Sequence, residues 1–387
     1  MNRKQFFLLI AVLVILGGLV WALKQRDKTS WSQTESRVGQ TLLKNFQVND
    51  VAVIHIDNGH TVVNLVKKEG QWRVSERGDY PANFNMISDL LLRIQDQKII
   101  QSDTISAEQR PPLELIEPNK DKPSATSIEM KDGAGKTIAK LLLGKRYTKK
   151  GAGGAEMPAG RYVMVAGDDK TVALIDNLLL DSEPKPETWL NKDFVRADKI
   201  KAITFKNNDS SLAWKMVRDQ EAGEWRLADA QSNDKFDSTR GTSAVNAISM
   251  MSFNDVVASS ASLDTGMDKP RIVVAETFDG LTYTFRVGKE ASDDNQYVGV
   301  TVSGEPVKER VAAASEKPED KKRLDKEFKE RLAKLETRLK FEKTLSSWTY
   351  VTPKWRLDPL LKNREGLMMD KQNAEAPQVT PINPNAK

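Results

Sequence analysis

The sequence predicts an α+β chain: an N-terminal transmembrane helix, then two tandem duplicated domains of mainly antiparallel sheet with packed helices, and a charged helical insertion in the second. Three observations predict it. Phe6 to Leu23 is an uncharged apolar run of 18 residues preceded by Arg3 and Lys4. It reaches the length of about 18 residues expected of a spanning helix and exceeds a signal-peptide core of roughly 7 to 15. Second, one pattern occurs twice in the same order. Ile54 and Ile56, Trp72-Arg73-Val74, Asp132-Gly133, Gly144-Lys145 and Tyr162-Val163 are answered by Ile203 and Phe205, Trp225-Arg226-Leu227, Asp279-Gly280, Gly288-Lys289 and Tyr297-Val298. The order holds while loop lengths drift, which marks a duplicated domain and not a solenoid. Third, both copies alternate apolar and polar residues with period two, broken by one stretch of helical period.

The elements follow in order. Residues 1–28 form the anchor with its flanks, and residues 29–49, polar and aperiodic, read as a linker. The first domain spans 50–196. Val51 to Ile56 is a strand, and Thr61 to Val66 with Gln71 to Val74 form a hairpin around Lys68-Glu69-Gly70. Met86, Ile87, Leu90, Leu91 and Ile94 then recur at helical spacing after Asp79-Tyr80-Pro81-Ala82-Asn83. Ser127 to Met130 and Thr137 to Leu143 flank a second turn, Arg161 to Val165 is a strand, and Val172 to Leu180 reads as a short helix. The second domain, 197–370, repeats this plan with its helix at Ala244 to Met251. Trp348, Tyr350, Val351, Trp355, Leu357, Leu360 and Leu361 read as a closing strand and helix of its core.

Residues 316–343 interrupt the second copy. Pro318-Glu319-Asp320 suits a first helical turn, because proline fits there and carboxylates favour the positive end of the helix dipole. Leu324, Phe328, Leu332, Leu335 and Leu339 form one apolar stripe, which reads as the seam of a solvated helix lying on its own domain or as a partner-docking arm, and in the second reading these are the candidate partner-binding residues. With 11 basic and 8 acidic residues the segment lacks the one-sided basic face that phosphate backbones need, so nucleic acid is not expected as a partner. Residues 371–387, rich in Pro, Asn, Gln and Ala, read as a disordered tail.

Chemistry is sparse. With no cysteine in 387 residues, disulfides, thiolate metal sites and cysteine nucleophiles are excluded. His55 and His60 are the only histidines; His55 and Asp57 share a strand face, but His60 follows a turn, and three-ligand geometry is not expected. Gly151-Ala152-Gly153-Gly154 lacks the Gly-Lys-Ser/Thr of a phosphate loop. Trp72, Trp189, Trp214, Trp225, Trp348 and Trp355 read as packing before sugar platforms. No catalytic, cofactor-binding or metal residues and no cofactor are assigned, and the chain reads as a non-enzyme.

The Ile-x-Ile strand, Gln71-Trp72-Arg73-Val74, Tyr80-Pro81-Ala82, Leu143-Gly144-Lys145 and Gly160-Arg161-Tyr162-Val163 resemble an uncharacterised bacterial domain-of-unknown-function family. Its members are membrane-anchored proteins often encoded beside gliding-motility-type ABC transporter subunits. The resemblance implies a non-catalytic auxiliary or scaffold protein of an ABC-type transport or cell-envelope complex. It would be single-pass in the bacterial inner membrane, with the bulk of the chain extracytoplasmic (periplasmic). The implied partners are the bilayer, through Phe6 to Leu23, and ABC permease or ATPase subunits. Two other readings are an envelope-glycan binding module, needing clustered exposed aromatics, and a secreted hydrolase, needing a carboxylate pair in a pocket.

Overall fold

A computed structural model describes residues 37–151, 154–232, 234–258, 262–311 and 316–369. The chain divides into two compact units. One holds the described residues up to Glu76 and those of Pro81–Trp189; the other holds Arg77–Tyr80 and the described residues from Leu190 onward.

In the first unit, alternation places Ile54 and Ile56 of β1 (Val53–Asp57), Val63 and Leu65 of β2 (Val62–Lys68) and Val74 of β3 (Gln71–Val74) in the core. The two-residue β2–β3 loop, Glu69 and Gly70, has positive φ at both positions (51° and 77°), the backbone of a type I′ hairpin. β4 (Tyr80–Pro81) follows, its Tyr80 counted with the second unit and its Pro81 with the first, and Asn83 then caps α1 (Phe84–Asp96) by accepting the amides of Asn85 and Met86. The helix buries Ile87, Leu90, Leu91 and Ile94. Beyond it come β5 (Ile99–Thr104), β6 (Thr126–Lys131), β7 (Thr137–Lys150), β8 (Glu156–Val165) and β9 (Thr171–Ile175). The sheet order is β4-β3-β2-β1-β6-β7-β8-β9-β5. Folding starts ahead of Val51: Leu42, Leu43 and Phe46 are buried, and the Leu42 amide donates to the Gln97 carbonyl at 2.7 Å.

The second unit repeats the plan with β10 (Ile200–Lys206), β11 (Leu212–Val217), β12 (Arg226–Leu227), α2 (Ser238–Ser249), β13 (Asp255–Ala258), β14 (Arg271–Thr277), β15 (Leu281–Ala291), β16 (Asn295–Gly304) and β17 (Trp348–Pro353). Its order, β12-β11-β10-β14-β15-β16-β17-β13, matches the first sheet strand for strand apart from β4. Asp237 caps α2 as Asn83 caps α1. Between β16 and β17 lies α3 (Pro318–Thr344), and the short α4 (Lys354–Leu357) follows β17.

These elements correct the expected α+β class. The described residues form two large antiparallel sheets with few helices, and so are mainly β. Of Val172 to Leu180, expected as a helix, the stretch to Ile175 instead belongs to β9, because β5 on one side and β8 on the other, over Ala173 to Ile175, offer its backbone partners. Edge strands β5 and β13 enlarge both sheets from segments with no strong alternation. No helix among the described residues is long and apolar enough to cross a membrane, and the longest, α3, is strongly charged. The expected span Phe6 to Leu23 and the tail 371–387 lie outside the described residues. Trp355, expected in the core, is 60% exposed.

Candidate functional site

The most distinctive site grows from two glycines at the same place in the two copies. A Cβ on Gly144 would collide with the Leu113 carbonyl oxygen, and one on Gly288 with the Thr265 carbonyl oxygen. The connection that precedes β6 or β14 therefore lies directly over β7 or β15, with left-handed residues (Glu114, φ 57°; Gly266, φ 71°) at the crossing. Just beyond each glycine the strand register shifts. That bulge turns the next cross-strand pair toward a hollow.

In the first unit the pair is Arg146 opposite Arg161. Arg161 is held from three sides: Nε donates to the Gly144 carbonyl at 3.0 Å, Nη1 to Leu178 at 3.1 Å and Nη2 to Leu143 at 3.3 Å. Neither arginine forms an ion pair with any described residue. Burial, with the Arg146 charge alongside, pushes the Arg161 guanidinium down to about 10. The Glu114 charge works in the opposite sense, raising it, and Glu114 lines a neighbouring hollow.

The cavity above this pair measures about 270 Å³, with Asn58, Thr61 and Thr126 on one side and the loop Leu179 to Lys185 on the other. That loop is fixed by the buried Ser182, whose hydroxyl donates to the Leu179 carbonyl at 2.6 Å. The fully buried Trp189 indole adds a bond to the Glu183 carbonyl at 3.1 Å. Lys185 is occupied by Glu183 at 2.8 Å.

The second unit has the same hollow with other charges. Register places Gln296 where Arg161 stands, Glu290 at Arg146 and Arg271 at Thr126. The Gln296 side-chain amide donates to the Gly288 carbonyl at 2.9 Å, reproducing the bond from Arg161 to Gly144. Here the charges are matched: Glu290 pairs with Lys354 at 2.8 Å, and Lys289 with Asp264. The first copy thus holds two guanidiniums where the second holds a carboxylate and an amide.

The partner-binding stripe sits on α3. Leu324, Phe328, Leu332 and Leu335 are half-buried and Leu339 is buried, where the end of the helix meets β16. Next to it Glu342, fully buried, accepts the Arg196 amide at 2.8 Å and the Tyr283 hydroxyl at 3.0 Å. Arg310 ties the other end down through Glu316 and Asp325.

His55 lies on β1 with Nδ1 2.7 Å from the Asn64 side-chain oxygen, while Asn64 Nδ2 donates to Glu76 at 2.6 Å. His60 belongs to the Asn58-Gly59 turn. Among the described residues no group of three His, Asp or Glu is arranged to hold a metal. Trp72, Trp189, Trp214 and Trp348 are buried, whereas Trp225 is half-exposed beneath the Arg218 guanidinium, 4.8 Å from its ring. Of the loop 151–154, residues 152 and 153 lie outside the described residues. Sequence reasoning did not single out Arg146 and Arg161, although aligning Gly144 with Gly288 and Tyr162 with Tyr297 sets each beside its differing counterpart.

No curated protein and no solved structure matches the chain. A family model, the domain of unknown function DUF4340, matches residues 72–270, more than half of the sequence and a span that includes Arg146 and Arg161, and the chain belongs to that family.

Proposed function

We propose that this protein is a non-catalytic, membrane-anchored, extracytoplasmic component of an ABC-type transport or cell-envelope complex, with its two duplicated units serving as recognition scaffolds. The observation that carries the reading is the pattern of change between the copies. Strand order, capping and the glycine crossover are common to both, while the side chains around the equivalent hollow differ in charge. Divergence of surface chemistry on a constant frame is how a binding scaffold acquires two partners. The run Phe6 to Leu23 supports membrane attachment, and the α3 stripe supports a helical contact with a partner. The glycan reading is weakened because four of the six tryptophans it would use are buried.

The test is affinity purification of the full-length protein from native membranes in mild detergent, beside a Leu324→Glu/Phe328→Glu variant. These positions lie away from the buried end of α3 at Leu339 and Glu342, so the variant is expected to fold. Co-purification of ABC permease and ATPase subunits with the parent, and their loss with the variant, is the expected result. Failure of both proteins to retain any membrane partner refutes the proposal.

A further inference from the structure

We propose that the hollow over Arg146 and Arg161 in the first unit is a binding site for a phosphate monoester group. The proposal stands apart from the transport reading, since it concerns a ligand of one unit and not the company the whole chain keeps. Four observations lead to it.

The first is the like-charge pair. Two guanidiniums directly opposite on adjacent antiparallel strands repel each other, a cross-strand arrangement that destabilises a sheet when nothing lies between the charges. An anion held by both converts that repulsion into attraction.

The second is hydrogen-bonding capacity. Arg161 has five N–H groups and spends three on the carbonyls of Leu143, Gly144 and Leu178, which leaves one free on each terminal nitrogen. Those three bonds also hold the fork in place, so little side-chain entropy remains to be lost on binding. Arg146 makes no hydrogen bond to a described residue, although the Glu183 carboxylate on the same cavity wall lies within reach of its charge, and Thr126 lines the same space. One arginine fork saturates the two oxygens of a carboxylate. A phosphoryl group, with three free oxygens and a charge of about −1.5 to −2, matches two forks and a hydroxyl.

The third is size. At about 270 Å³ the cavity falls just below the roughly 300 to 1,000 Å³ of pockets that enclose drug-sized molecules, and suits one small head group.

The fourth is the internal control. The second copy shows what this fold does with the same place when its charges are balanced within the protein: Gln296 keeps the bond to the glycine carbonyl, and Glu290 is met by Lys354. The arginine pair is therefore not required by the fold.

That control supplies the test variants. Arg161→Gln and Arg146→Glu install the second copy's residues at the first copy's site, so the scaffold accommodates them. Full-length protein in detergent is titrated with inorganic phosphate at low ionic strength, with chloride and acetate as matched controls, by calorimetry and by following the arginine side-chain N–H resonances. The expected result is saturable phosphate binding with a dissociation constant of about 1 mM or tighter, weakened about tenfold or more in each variant, with acetate much weaker. Thermal melts without phosphate check that the variants are folded. A second arm uses phosphatidylcholine vesicles with and without phosphatidic acid. Binding that requires phosphatidic acid, is competed by inorganic phosphate and is lost with Arg161→Gln identifies a lipid head group as the source; phosphate binding without vesicle binding identifies a soluble ligand. Absence of saturable phosphate binding, or binding equal in parent and folded variants, overturns the proposal.

Discussion

Two side chains show how burial sets behaviour at the residue scale. Tyr80 is fully buried within the second unit, edge-on to Trp348 and Phe253, and its hydroxyl stands beside that of Tyr350, which gives its own proton to the Leu345 carbonyl. Burial pushes the ionisation of Tyr80 well above the ordinary tyrosine range. A single neutral hydrogen bond of this kind has a net worth of about 0.5 to 1.5 kcal/mol, so Tyr80→Phe is expected to change stability by no more than that, read from urea denaturation. A larger loss would contradict this. Glu342 likewise keeps good partners, but burial still raises its carboxyl above the ordinary value, against the Arg196 amide and the Arg338 charge. The native state then holds a proton that the unfolded chain has already released once pH passes about 4.3. This contribution to stability falls as pH rises through that window and is constant above the native value. Glu342→Gln, which cannot ionise, is expected to gain on the parent as pH rises above the ordinary carboxylate value. A stability difference independent of pH would contradict this.

The glycine crossovers make the sharpest statement at the scale of elements. Gly144 and Gly288 have no space for a methyl group, because a backbone carbonyl of the overlying connection occupies it. Gly144→Ala and Gly288→Ala are each expected to cost about 1 to 3 kcal/mol by overpacking, whereas Gly133→Ala, in an open turn, should cost far less. Comparison of the three denaturation midpoints checks this. The insertion α3 behaves as a helix secured at both ends, by Arg310 near its start and by Leu339 and Glu342 near its finish. Its surface ion pairs, such as Arg323 with Glu327 at 2.9 Å, are exposed and worth only a few tenths of a kcal/mol each. The stripe and the capping proline were legible in the sequence because helical period and first-turn chemistry are local. Its anchoring was not, because Glu342 meets Arg196 and Tyr283, residues more than fifty positions away in the chain.

For the whole molecule, the duplication has a thermodynamic consequence. A ligand bound by one copy and refused by the other stabilises only the unit that holds it, by about 2.7 kcal/mol at a hundredfold excess over its dissociation constant. Phosphate, but not chloride at equal ionic strength, is therefore expected to raise the thermal midpoint of the first unit, and Arg161→Gln to abolish the rise. A shift that survives in the variant would locate the phosphate elsewhere. The sequence by itself determined the two-copy plan, the first hairpins, α1 and the charged insertion, all of which rest on alternation, helical period, turn residues or caps within a few positions. Only the tertiary structure decided that the described chain is mainly β, because β5, β9 and β13 become strands through the neighbours they find in the sheet. It alone decided that Trp214 lies in the core while Trp225 lies under Arg218. The pairing of Arg146 with Arg161 likewise depends on the register of two strands joined by a long hairpin, which no local pattern encodes.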